Sequence, residues 1–374
     1  MNRKFALFLT IALITPALAS AQTGTQQPRE RTDEDNTRFG GTSAVFLTLP
    51  ADSRGAALGG SYAALVSDIA SLFYNPAGLA LMTSNQAMFS YTAYIADTRH
   101  LSAGLGWSLR GGEWGLGVSL RNFGFGDAPV YTEEAQEGNG ETYSVSNTAV
   151  GVTAALQFSD RFSAGITGRY VTEQLGRVSA TGFTVDFGTN YHGEVGGRPF
   201  RASFIIVNYG TSFKPRGAVL NSDVDPLDES MNVERPAGEL RTSAFEPPTQ
   251  FRVGIAYDLM AANNNRLTLL SEFFQPNDSD PGVGLGAEFA RTLTEGLSGS
   301  LRGSYGYQGD NRDSDVPTAF AFRSSAQDDS SLDGLALGGG LNWTAGAWNV
   351  GVDYAFRHMG ILPSVNQFSI KLGW

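Results

Sequence analysis

The chain has no cysteine among its 374 residues. That excludes a disulfide framework, a thiolate metal site and a cysteine nucleophile. Lysine is scarce, and the 26 basic residues are unclustered and outnumbered by 37 acidic ones, which argues against a nucleic-acid partner. Also missing is an apolar run long enough to cross a bilayer as a helix, which takes roughly 18 or more residues. The nearest approach, "FALFLTIALITPALA" behind Arg3 and Lys4, is shorter and broken by Pro16. It reads as a secretory leader over residues 1–21, with Ala19-Ser20-Ala21 as a small-x-small cleavage site. Cleavage would leave 24 basic and 37 acidic residues and a net charge of −13. An exported chain without a membrane helix can enter a membrane only as strands.

What is abundant is glycine, with 46 residues, together with aromatics. A long soluble helical protein would not use that mixture. Residues 22–42 are polar, charged and without periodicity, and are expected to form a flexible N-terminus. Residues 43–85 are rich in Ala, Leu and Gly, with helix-like stretches at "SRGAALGGSYAALVSD" and "LFYNPAGLALM".

From residue 86 to 374 the period changes to two. Trp114, Leu116, Val118 and Leu120 alternate with Gly115, Gly117, Ser119 and Arg121. Trp348, Val350, Val352, Tyr354 and Phe356 alternate with Asn349, Gly351, Asp353 and Arg357. The pattern recurs in about fourteen segments of roughly ten residues, the length a tilted membrane strand requires. An even count returns both ends of the strand array to one side of the membrane. With the first strand rising outward, the three longest links, near 124–145, 209–248 and 308–333, all fall outside. Inward links such as "RGGE" at 110–113 are short. The three long links together carry a charge of −12, nearly the whole exported charge, so the acidity belongs to one rim. A soluble β-sandwich would instead have shorter strands and a face of large apolar residues for a dry core. Here the non-aromatic face carries Gly, Ser and Arg. The expected fold is an all-β membrane protein, an antiparallel transmembrane β-barrel of about fourteen strands over residues 86–374.

The chain closes on "FSIKLGW", where Phe368, Ile370, Leu372 and Trp374 alternate outward. A terminal strand of this kind is the address read by the outer-membrane barrel-assembly machinery. That machinery and outer-membrane lipid are therefore expected partners.

Several positions suggest chemistry. Asn75-Pro76-Ala77 resembles the pore motif of water channels, but that motif needs a bundle of membrane helices. Asn is a favoured helix N-cap and Pro a favoured first helical residue, so "NPAGLALM" is expected to start a short helix. Inward-facing charges, Arg121, Arg161, Arg169, Arg252, Arg302 and Arg357 with Asp186, Asp258, Glu272 and Asp353, could hold an anion. Their mixed signs favour mutual pairing instead, as buried charges require. The aromatics Tyr94, Phe123 and Phe274 also point inward in this register. His100, His192 and His358 are too dispersed for a metal motif, and nothing marks a nucleophile or an oxyanion donor beside them. Neither catalysis nor a cofactor is expected. The run "GVGLGAEF", with Gly282, Gly284 and Gly286, looks like a dinucleotide loop but is a strand followed by no helix. The acid-rich stretches "SDVDPLDE" and "DNRDSD" lack the spacing of a recognised calcium loop.

The block "FLTLPADSRGAALGGSYAALVSDIASLFYNPAGLALM" (46–82) resembles the PorV/PorQ family of outer-membrane proteins, within the wider FadL-like barrels. Its matching features are Ser53-Arg54-Gly55-Ala56, Gly59-Gly60 before Ser61-Tyr62, Asp68, and Asn75-Pro76-Ala77-Gly78. The resemblance implies a fourteen-stranded barrel with the helical block folded inside as a hatch. It also implies a choice of roles. PorV-like members serve type IX secretion by binding exported cargo, PorQ-like members hold a surface partner, and FadL takes up fatty acids through its hatch and a lateral opening. The leading expectation is a non-catalytic secretion scaffold that meets secreted cargo or secretion components. The alternative is a channel for hydrophobic small molecules such as fatty acids.

Overall fold

In the computed structural model, residues 41–133, 135–223, 237–262, 264–308, 334–360 and 362–374 are described. The leader and nearly all of the expected flexible N-terminus lie outside them. Thr42, the last residue of that expected segment, is already fastened: it bridges to Glu246 and its hydroxyl donates to Asp278 at 2.6 Å.

The strands run β1 (Gln86–Ala93), β2 (Arg99–Leu109), β3 (Trp114–Pro129), β4 (Thr142–Ser159), β5 (Phe162–Leu175), β6 (Val178–Val195) and β7 (Arg198–Gly210). A long link then carries a two-stranded hairpin, β8 (Asn221–Asp223) with β9 (Ala237–Glu239). The array resumes with β10 (Gln250–Ala262), β11 (Asn265–Pro276), β12 (Gly282–Thr294), β13 (Leu297–Gln308), β14 (Leu335–Ala345), β15 (Trp348–Met359) and β16 (Leu362–Gly373). Leaving out β8 and β9, fourteen antiparallel strands close into one barrel, with β1 on β16 from Gln86↔Gly373 to Ala93↔Asn366. Closure pairs every strand on both sides, which a lipid-embedded sheet must do.

Alternation places the faces as the dyad pattern requires. On β3, Trp114, Leu116, Val118 and Leu120 are exposed to the surroundings while Gly115, Gly117, Ser119 and Arg121 are buried. On β16, Phe368 and Ile370 face out, and Gln367 and Ser369 face in. β3 to β6 run to 14–18 residues, beyond the roughly ten that a membrane crossing uses. The β3–β4 ladder continues to Pro129↔Thr142, so the expected loop at 124–145 contracts to residues 130–141. "FGFGDAP" lacks a clean alternation because strand rising above the bilayer has no lipid-facing side. The expected loop at 308–333 lies almost entirely outside the described residues.

Inside the barrel sits the block that precedes β1. It holds 3₁₀ turns at Val45–Thr48 and Pro76–Leu81 and short helices at Ser53–Ala57 and Ser71–Tyr74. The two helices are shorter than the composition suggests. The first ends because Gly59 and Gly60 adopt φ of 60° and 79°, a left-handed turn that glycine takes without strain. The block is fully packed: Ala51, Leu58, Tyr62, Val66, Ile69, Leu72 and Leu79 have 0% exposure.

Glycines in the wall set how closely this block approaches. A Cβ at Gly115 would come within 2.4 Å of the Leu79 carbonyl oxygen, one at Gly165 within 2.5 Å of Pro76, and one at Gly188 within 2.2 Å of Asn75 Oδ1. Gly284, in the run that mimics a dinucleotide loop, would meet Ser61 Oγ at 1.8 Å. Gly165→Val or Gly188→Val should therefore unseat the 3₁₀ turn without altering the lipid-facing surface. Overpacking of this kind costs about 1–3 kcal/mol. Protease sensitivity of residues 43–85 in detergent-solubilised barrel should rise, while Gly168→Val, where a Cβ meets nothing within 4 Å, should leave it unchanged.

Candidate functional site

The lumen is organised by charge. One continuous chain of ion pairs alternates in sign through seven side chains: Asp353, Arg302, Glu288, Arg54, Asp68, Lys371 and Asp52. Arg302 reaches Asp353 at 2.5 Å and Glu288 at 2.7 Å. Arg54 grips Glu288 with two bonds of 2.8 Å and lies 3.7 Å from Asp68. Lys371 bridges Asp68 at 2.9 Å and Asp52 at 2.8 Å. Arg54, Asp68 and Asp52 belong to the hatch; the others come from β12, β13, β15 and β16. The chain thus riveting hatch to wall is largely removed from water, from Glu288 and Asp52 side chains at 1% and 0% exposure to Asp68 at 20%.

The hatch's own chemistry holds its half in place. Asp52 caps the first helix by accepting from Gly55 N at 3.0 Å. Tyr62 lies under the Arg54 guanidinium at 5.1 Å and edge-on to Tyr74 at 5.2 Å. Burial would raise the Asp68 carboxyl, but Lys371 and Arg54 beside it more than compensate and hold it below the usual carboxylate value.

The rest of the wall uses cations on backbone carbonyls. Arg121 donates to Leu47 O at 2.5 Å and Leu49 O at 2.8 Å. Arg169 pairs with Asp186 and donates to Leu72 O at 3.0 Å. Arg252 pairs with Glu272 and donates to Gly60 O, and Glu272 accepts from Ala63 N at 3.1 Å. Asp186 also accepts from Asn208 N at 2.8 Å, where a bulge shifts the β6–β7 register. Asp258 is held by Arg201 at 3.0 Å and Thr268 at 2.8 Å.

Asn75 is a clamp. Its Oδ1 accepts from Ala77 N at 3.1 Å, capping the turn that Pro76 opens, while Nδ2 donates to Ala63 O at 3.0 Å and Thr189 O at 3.2 Å. Pro76, Ala77 and Gly78 are buried in the lumen, and a Cβ on Gly78 would meet Val66 O at 2.4 Å. The motif seats a plug. It does not line a pore.

Most inward charges read from the sequence therefore meet partners. Arg161 does not: it lies exposed in the turn between β4 and β5, outside the lumen, because the strand starts one residue later. Arg357 faces inward at the outer end of β15. Phe123 and Tyr94 stack edge to face at 6.0 Å, and Phe123 packs on the buried cluster of Phe46, Leu47 and Phe213. Phe274 lies against the space beside Gly282. His100 is buried near Phe123 and 3.5 Å from Ser102 Oγ, and β1 and β16 separate its strand from that of His358. His192 lies near the inner end of β6. Among the described residues, no three His, Cys, Asp or Glu side chains gather to hold a metal ion. The acid-rich stretches at 222–229 and 310–315 fall outside the described residues, apart from the backbone of Ser222 and Asp223.

Asp52, Glu288 and Lys371 escape a sequence reading. Lys371 is one of only three lysines and occupies an inward position of the last strand, and Glu288 is the sole acid in β12. Those are the signals that could have found them.

Between hatch and wall remains a cavity of about 30 Å³, lined in part by Leu49, Phe73, Arg121, Asn208 and Arg252. That is room for about one water.

The family described as "Type IX secretion system protein PorV" matches residues 32–220. No curated protein matches the chain. Among solved structures it is similar to the toluene transporter TodX of Pseudomonas putida, with 10% identity and a TM-score of 0.51, covering 87% of this chain and 97% of that one. It is also similar to the toluene transporter TbuX of Ralstonia pickettii, with 11% identity and a TM-score of 0.51, covering 87% and 98%. At such identity the likeness speaks for the fold alone.

Two outcomes follow from the ion-pair chain. Glu288→Gln leaves Arg302 with Asp353 alone and Arg54 with the more distant Asp68 alone, so the buried chain carries one uncompensated positive charge more; the barrel should be destabilised by about 3–5 kcal/mol, read as a lower midpoint of thermal unfolding in detergent. Asp68, held below its unfolded value of about 3.9, stabilises the hatch at higher pH and loses that contribution as pH falls through and below that value. Protease sensitivity of the hatch should therefore rise below about pH 4, and Asp68→Asn should remove part of that pH dependence.

Proposed function

The chain belongs to the PorV family of type IX secretion system proteins, and on that premise we propose that it is a non-catalytic outer-membrane scaffold that binds exported protein cargo or a surface partner through its outer links. It is an outer-membrane barrel with FadL-like architecture. The observation that carries the proposal is how firmly the hatch is seated. Among the described residues, strand pairing is continuous around the wall and the hatch is clamped to it from several sides, with a cavity of about 30 Å³ beside it. A conduit for hydrophobic molecules needs a path past the hatch; a scaffold needs rigidity and an outer surface.

That surface has structure of its own. The β3–β4 and β5–β6 hairpins continue to Pro129↔Thr142 and Leu175↔Val178. The link from β7 to β10 adds the β8–β9 hairpin and bridges Ser179↔Arg216 and Phe213↔Phe245. Exposed Tyr131 and Leu240 on these links, and Tyr209 at the outer end of β7, offer the kind of large side chain that anchors protein interfaces. In this reading the leader is removed after about Ala21, and the barrel-assembly machinery reads Phe368, Ile370, Leu372 and Trp374. No cofactor takes part.

Affinity purification from native membranes tests the proposal. Secreted proteins or secretion components should co-purify, and deleting residues 217–240 should abolish that recovery while the barrel still folds. A bound hydrophobic small molecule with no protein partner would overturn it and favour the channel alternative.

A further inference from the structure

Three arginines meet around the small cavity between hatch and wall, and their charge does not balance. Arg121, Arg169 and Arg252 line it from β3, β5 and β10. Each holds the hatch by a backbone carbonyl: Arg121 takes Leu47 O and Leu49 O, Arg169 takes Leu72 O, and Arg252 takes Gly60 O. Arg169 is matched by Asp186 and Arg252 by Glu272. Arg121 has no carboxylate partner among the described residues. Both oxygens of Asp186 are engaged, one by Arg169 and the other by Asn208 N. Beyond its two carbonyls, Arg121 meets only the face of the Phe73 ring, at 5.2 Å. Three cations against two acids leave one positive charge in excess, on a residue 4% exposed.

Hydrogen bonding around the cavity is incomplete as well. The Nε of Arg121, of Arg169 and of Arg252 is shielded from solvent and has no hydrogen-bond partner among the described residues. Arg169 as a whole is 5% exposed. A buried charge without a counter-ion is costly, and a buried donor without an acceptor adds to that cost. A water in the cavity would accept from these donors but leave the charge uncompensated. An anion does both, with the shorter and stronger bonds of a charged pair.

The cavity's size selects the anion. About 30 Å³ is room for about one water. A halide ion is of comparable size, whereas sulfate, phosphate or the carboxylate of a fatty acid with its chain is not.

We propose that this cavity is a halide site, holding one chloride as the counter-ion of Arg121 and as an acceptor for the arginine Nε–H groups. The ion sits among the three side chains that hold the hatch at Leu47–Leu49, at Gly60 and at Leu72, so its binding tightens all three grips together. A ligand of the seated hatch alone stabilises that state as its concentration rises. Chloride is thus a structural component of the plug, whatever the outer links bind.

Anomalous scattering tests the site directly. Crystals of the full chain would be grown in sodium bromide, and others in sodium chloride for measurement at long wavelength. A bromide or chloride peak within hydrogen-bond distance of the Arg121 guanidinium is expected. A cavity holding water alone, or halide peaks confined to the outer surface, would overturn the proposal. In detergent, the thermal midpoint and the protease resistance of residues 43–85 should be higher in sodium chloride than in sodium gluconate at equal ionic strength, gluconate being too large to enter. Arg121→Gln removes the excess charge and should abolish that difference, while Arg177→Gln, at an arginine whose side chain is 73% exposed, should keep it. An Arg121→Gln barrel that responds to chloride as the wild type does would place the effect elsewhere and sink the idea. Should that variant fail to fold, the anomalous maps of the wild type decide alone.

Discussion

A barrel of eight strands can fill its interior with its own side chains, but one of fourteen cannot. Its lumen must be a water channel or be filled by something else. Here the filling is the segment 43–85 of the same chain, and most of the unusual features of the sequence answer to that requirement. A plug inside a membrane protein needs faces on all sides that match a wall it did not fold with. Close packing and charge pairing solve the problem on different parts of the circumference.

On the side of β3 to β6 the solution is close packing, helped by Arg121 and Arg169 on hatch carbonyls. Glycine on the wall lets the backbone of "NPAG" come to van der Waals distance, and Asn75 then bonds across to Thr189 O. On the side of β12 to β16 the solution is electrostatic, with hatch and wall both contributing members to one ion-pair chain of alternating sign. Such a chain adds little net stability over an apolar core of equal volume, because each charge costs a large desolvation. What it provides is registry. Arg54 can satisfy Glu288 and Asp68 together only when the hatch sits at one height and one rotation, which an apolar surface would not enforce.

The wall was legible in the sequence because lipid imposes a rule on every strand locally. Each lipid-facing residue must be apolar whatever its neighbours do, so the alternation on β3 or β15 survives without knowledge of the partners. Where lipid ends the rule ends, and the upper parts of β3 and β4 went unread. The hatch followed no local rule. Its Ala, Leu and Gly content suggested helix-like stretches, but the small residues are there because they pack tightly, and Gly59-Gly60 turns the chain after one short helix. Lys371 and Asp68 stand 303 positions apart. No periodicity connects them, and the dyad reading of "FSIKLGW" attends to the outward residues and passes over the lysine between them.

Barrels of similar fold include the toluene transporters TodX and TbuX, and a shared fold does not make this chain a channel. The difference must lie in how firmly the plug is held and in what stands above it. A gate that opens in turnover has to break its contacts at modest cost. Here the hatch is held by buried charges on four strands and by cations on its carbonyls. Releasing it would leave several of those charges unpaired at once. A plug so fastened is better suited to stiffening a platform than to passing a solute, and the ordered structure built above β3 to β7 is where such stiffness would be used.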